Sequence, residues 1–145
     1  MIIEHFILSN NSSIDMNSNS LSAFGILDDM QIQAPPGMTL NLSFHAILVV
    51  KRDSETGPVN TTFKMSVSGP NGSKIGQDIQ MPVQMQPAHR RARIRVIAEI
   101  PVLQSGAYTV RMTDQGNEKV SREVSLNIQI LPVAVPTAPG GQLPQ

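Results

Sequence analysis

The chain contains no cysteine and no tryptophan, and only one tyrosine and four phenylalanines among 145 residues. Without thiols, disulfide frameworks, zinc–thiolate sites, iron–sulfur clusters and thiol nucleophiles are all excluded. The aromatic shortage argues against a lectin that stacks sugar rings on exposed Trp or Tyr. It argues equally against the aromatic platforms of single-stranded nucleic-acid binders. Charge is sparse and balanced, with eleven basic and eleven acidic side chains and a formal net charge of zero. Such a chain has no overall field to draw in nucleic acid or an anionic membrane, and no net repulsion to oppose self-association. No stretch approaches the roughly 18 consecutive apolar residues that a membrane-spanning helix needs. The opening run Met1–Leu8 contains Glu4, lacks a basic start and is too interrupted for a secretory signal. Together these absences predict a cytoplasmic protein with no membrane partner. The Asn-x-Ser/Thr triplets at Asn10, Asn11, Asn41, Asn60 and Asn71 then read as coincidences of an Asn- and Ser-rich chain.

Catalytic patterns are missing as well. Asp28 and Asp29 are the only adjacent carboxylates, and neighbours on a strand point to opposite faces. No Asp-x-Asp-x-Asp run suggests calcium. His5, His45 and His89 have no metal-binding spacing. No Gly-x-Ser-x-Gly elbow marks a nucleophile, and Gly69, Gly72 and Gly76 lack the following helix of a phosphate-binding loop. The expectation is therefore no catalytic residue, no metal and no cofactor.

What the chain does have is a period of two, the mark of half-buried strands. Leu40, Leu42, Phe44, Ala46, Leu48 and Val50 share one parity, as do Phe63, Met65 and Val67. Ile79, Met81, Val83 and Met85 form a third run, with Pro82 on the opposite parity. A proline has no amide hydrogen to donate, so that run belongs at a sheet edge. Ala92 to Ile100, Tyr108 to Met112 and Val124 to Ile130 complete the set. Gly69-Pro70-Asn71-Gly72-Ser73 and Asp114-Gln115-Gly116-Asn117 supply tight turns, and Asp53 to Pro58 a longer loop. Before Leu40 the pattern is weaker. Ile2–Leu8 and Leu21–Leu27 read as strands, Ser9–Ser20 as a polar loop, and Ala34-Pro35-Pro36-Gly37 as an extended lead. Residues 132–145 have no period and no charge, and read as a disordered Pro/Gly-rich tail.

Short strands separated by turns predict an all-β fold, an immunoglobulin-like antiparallel β-sandwich of about seven to nine strands over residues 1–131. Tyr108 sharpens this reading. It opens a strand two residues after Gly106, the placing of a tyrosine corner, where the phenol bonds back to nearby backbone. Several segments follow one another in a suggestive order: Leu21 to Asp28, the Pro-bearing lead, a strand ending in Lys51, the Ser-Gly-Pro-Asn-Gly turn and Gly106-x-Tyr108. In this order the chain resembles a family of small bacterial β-sandwich proteins classed as a domain of unknown function. The resemblance implies an immunoglobulin-type sandwich and carries no activity.

Two features bear on function. Arg91, Arg93 and Arg95 alternate with apolar residues and so form a basic stripe on one strand face. They are the candidate contacts for an anion or for a partner's carboxylates. Ile47, Val49 and Ile97 fall on the parity expected to be wet, on two strands that are neighbours in immunoglobulin-like order. They are the candidate interface, to be covered either by the N-terminal segment or by another chain. The functional expectation is a non-catalytic interaction or assembly module binding another protein, its own copy included as a homodimer. The alternative is a small-ligand- or polyanion-binding sandwich that uses the arginine stripe.

Overall fold

The computed structural model describes residues 1–15, 17–18, 20–52 and 57–133. Its strands are β1 (Ile2–Ile14), β2 (Leu21–Ile26), β3 (Asp29–Ala34), β4 (Leu40–Lys51), β5 (Val59–Ser68), β6 (Lys74–Met85), β7 (Arg91–Val102), β8 (Gly106–Asp114) and β9 (Asn117–Pro132), and the described residues include no helix. They form a four-stranded sheet in the order β2-β1-β4-β7 and a five-stranded sheet in the order β3-β9-β8-β5-β6. The chain is an all-β sandwich.

The inward parity of each sheet supplies the core. Phe44, Ala46, Leu48 and Val50 of β4 face Phe63, Met65, Tyr108, Val110, Met112 and Leu126 across the sandwich, all buried in one apolar cluster. Pro82 lies in β6, which among the described residues pairs only with β5 and closes the sheet as its edge, where a missing donor costs no ladder bond. The tyrosine corner is present. Tyr108 is 1% exposed and its hydroxyl donates to the Gln104 carbonyl at 2.7 Å. A buried phenol without that acceptor would lose about 1 kcal/mol or more. Gly106, which opens the corner, has a φ of 146°, and a Cβ there would lie 2.6 Å from the Pro70 ring.

The N-terminal third departs from the expected pattern. The polar stretch from Ser9 is not a loop as far as Ile14 but continues β1, laddered to β2 from Ser9↔Ile26 to Ile14↔Leu21. No apolar parity announces it, because the groups it buries are hydroxyls that find partners within the fold. Ser9 Oγ donates to the Asn11 carbonyl at 3.0 Å, and Ser12 Oγ bonds His45 Nδ1 at 2.8 Å. The turn begins only at Asp15, whose carboxylate accepts the amides of Asn17 and Ser18 and is held below the ordinary aspartate value by them.

A second departure is β3. Asp29–Ala34 pairs parallel with β9, the one parallel pairing among the described residues. After it, Pro35 to Met38 turn rather than extend, with Gly37 at a φ of 78°. Pro132 is the last residue of β9, one beyond the expected domain limit, and the Val133 amide donates to Ala34. The remainder of the expected tail, 134–145, and residues 53–56 of the expected loop lie outside the described residues.

Candidate functional site

The outer face of the four-stranded sheet is where the two sets of candidate residues meet. Strand β4 lies between β1 and β7, and the register aligns His5, Val49 and Arg93 in one cross-strand row and Ile7, Ile47 and Arg95 in the next. Residues opposite one another in a ladder share a face, so the arginine stripe and the apolar pair sit side by side as the sequence pattern implies.

The apolar pair is not open to solvent. Ile47 is 1% and Val49 8% exposed within a single chain, whereas Ile97 is 65% exposed. The cover is the β1–β2 hairpin. Beyond Ser9, β1 leaves the β4 ladder and the hairpin crosses the outer face. Ser12 Oγ meets His45 of β4, and Arg95 of β7 donates to the Ser12 carbonyl at 3.1 Å. Leu21 and Ala23 of the hairpin share a cleft with Ile47 and Val49. Gly25 makes the bend passable. It has a φ of 66°, and a Cβ there would come within 2.9 Å of the Asn10 side chain on the facing strand. The expected three-residue interface is therefore divided: Ile47 and Val49 lie beneath the chain's own hairpin, and Ile97 alone remains on the surface.

The arginine stripe is divided in the same way. Arg91 forms a two-pronged pair with Glu4, Nε to Oε2 at 2.6 Å and Nη2 to Oε1 at 3.0 Å. Glu4 is the extra residue of a bulge in β1, which falls between Ile3 and His5 in the register with β4. That bulge returns both Ile3 and Phe6 to the core and frees the Glu4 carbonyl to accept from Arg122 at 3.0 Å. The hydrogen bond from Arg91 holds the Glu4 carboxyl below the ordinary glutamate value, and the bond in turn raises the Arg91 guanidinium. Arg95 is occupied by the hairpin backbone. Arg93, between them, has no hydrogen-bond or ion-pair partner among the described residues.

These elements enclose a cleft of about 390 Å³. Ile7, Ile47 and Val49 form its floor, Leu21 and Ala23 one wall, and Arg91, Arg93, Glu4 and His5 the rest. Of the two covers that the exposed-parity apolar residues of β4 call for, the N-terminal segment or another chain, the chain's own N-terminal hairpin lies over Ile47 and Val49. Among the described residues no cluster of three or more His, Asp or Glu side chains could hold a metal ion. No described helix is long and apolar enough to cross a membrane.

No family model matches the chain, and no curated protein does. Among solved structures it is similar to part of a family 123 glycoside hydrolase from Clostridium perfringens, studied for glycolipid glycan hydrolysis, at 14% identity and a TM-score of 0.35. The match covers 75% of this chain and 24% of that chain, so the present chain spans about a quarter of the enzyme's length. A likeness this distant carries no argument about chemistry.

Proposed function

We propose that the chain is a non-catalytic protein-interaction or assembly module of the cytoplasm, and that it docks through the outer side of the four-stranded sheet. The observation that carries this reading is the gathering of exposed apolar side chains on the two edge strands of that sheet. Phe24 and Ile26 of β2 are 55% and 56% exposed, and Ile97 of β7 is 65% exposed. Ile26 and Ile97 end one cross-strand row that runs through Ser9 and His45. Neighbouring strands lie about 4.8 Å apart, so the two are separated by roughly 14 Å. Each such side chain, once covered, contributes roughly 1.5–3 kcal/mol. Three from each of two copies are comparable with the roughly 4–15 kcal/mol that association costs. A second copy of the chain is therefore a sufficient partner.

The test is light scattering of the full chain at high micromolar concentration. Self-association that disappears in the Phe24→Asp, Ile97→Asp double variant, with the melting temperature unchanged, is the expected result. A monomer that captures nothing from lysate through these residues would sink the reading.

A further inference from the structure

We infer that the cleft beneath the hairpin is a binding site for a small amphipathic monocarboxylate, with an apolar chain on Ile7, Ile47 and Val49 and its carboxylate on Arg93. The inference stands apart from the docking surface proposed above, whose residues Phe24, Ile26 and Ile97 do not line the cleft.

Charge singles out Arg93. Of the stripe's three guanidiniums, Arg91 is neutralised by Glu4 and Arg95 is engaged by the Ser12 carbonyl. Arg93 alone among them has no partner among the described residues, and it lies in the row of Val49. The cleft thus offers one uncompensated, planar cation beside apolar surface. A carboxylate accepts two parallel N–H bonds from such a group. Lys51, close enough to lower the Glu4 carboxyl further, adds to the positive setting of this end.

Shape narrows the ligand further. A guanidinium on an open strand face would suit any anion, but this one borders a walled depression. The hairpin is pinned on its far side by Ser12–His45 and Arg95–Ser12, so its Leu21 and Ala23 form a wall held at fixed spacing from the floor. At about 390 Å³ the cleft lies toward the small end of the roughly 300–1,000 Å³ range of ligand sites. That volume suits a short acyl chain.

A larger anion fits this face poorly. A nucleic-acid backbone bound on the stripe would need several free guanidiniums at phosphate spacing, and two of the three are committed within the chain. A single negative charge is what remains to be matched.

The experiment is a titration of the isotope-labelled full chain with octanoate, followed by the methyl resonances of Ile7, Ile47, Val49 and Leu21. Saturable shifts confined to these methyls are expected at millimolar octanoate. Acetate, which lacks the chain, and 1-octanol, which lacks the charge, should each bind at least tenfold more weakly. Arg93→Gln should weaken octanoate roughly tenfold or more, the usual contribution of a charge-assisted bond, while leaving the amide spectrum of the sheet intact. Ala23→Phe should block the cleft and abolish the shifts. No saturable shift at these methyls would overturn the assignment, as would undiminished octanoate affinity in Arg93→Gln. A short DNA duplex that binds with steep salt dependence and perturbs all three arginines would replace it with the polyanion reading.

Discussion

The two sheets of this sandwich treat their outer faces in opposite ways. The five-stranded sheet is polar outside and, among the described residues, has no covering segment. Its surface is laced by cross-strand pairs: Arg111 with Glu123, Thr113 with Ser121, Gln31 with Gln129 and Asn127 with Asp29. The four-stranded sheet carries Ile7, Ile47 and Val49 on the equivalent surface and covers them with a folded-back hairpin of its own chain. One sheet solves solvation by composition and the other by topology. The second solution leaves a seam between cover and covered surface, and that seam is the cleft. The cleft therefore lies where the period-two pattern is broken, not where it is kept.

The contrast can be tested by placing the same charge on each face. Ile47→Asp, at a side chain 1% exposed beneath the hairpin, buries a carboxylate opposite an Arg95 already engaged by the Ser12 carbonyl, and should destabilise the domain by about 2 kcal/mol or more. Ser125→Asp, on the open face of the five-stranded sheet, should change stability by no more than about 0.5 kcal/mol. Denaturant titration of both variants measures the difference directly, and similar losses in the two would mean the faces are not distinct.

A smaller effect is expected from the hinge of the cover. Gly25→Ala must hold an alanine in left-handed backbone against Asn10, a strain of about 1–2 kcal/mol. The loss should be local. Amide exchange ought to accelerate in β2 and in the distal half of β1, while β8 and β9 keep their protection.

The smallest effect is electrostatic. The Glu4 carboxyl is depressed in the folded chain by the Arg91 hydrogen bond, so its pairing stabilises the fold above the ordinary glutamate range. That contribution is lost as pH falls through the depressed value. Arg91 is exposed and Glu4 partly so, and solvent screens the pair, so the change in stability is slight. It is best seen as the Glu4 carboxyl titration moving back up to the ordinary glutamate range in Arg91→Gln, and an unmoved titration would count against the pair.

Much of the sandwich was legible because its information is local. Strands β4 to β9 each carry apolar residues on one parity, and the turns between them carry Gly, Asn and Pro where the backbone requires them. Pro82 marked an edge, and the spacing of Gly106 and Tyr108 marked a corner. Strand β3 was missed although Met30, Ile32 and Ala34 do alternate, since it is short, is followed by two prolines, and finds its partner about a hundred residues away. The distal half of β1 was missed for another reason: its buried side chains are serines, and nothing in a serine indicates whether water or His45 will satisfy it. The cleft inherits that gap. Its arginines and the Ile47 and Val49 of its floor were legible, and the N-terminal segment was one of the two covers they called for, but not the way that segment folds back to wall the cleft.

The parallel pairing of β3 with β9 has a consequence for the order in which the domain can be made. Asp29 and its partner Asn127 are 98 residues apart. At a synthesis rate of about 5–20 residues per second, β3 leaves the ribosome roughly 5–20 s before β9 exists to pair with it. During that interval its backbone donors and acceptors have no native partner, and a flat apolar strand in that position would recruit whatever edge it met. Asp29, Gln31 and Gln33 occupy its exposed parity, a charge followed by two amides. They let the strand wait in water until the last strand of the sandwich arrives to claim it.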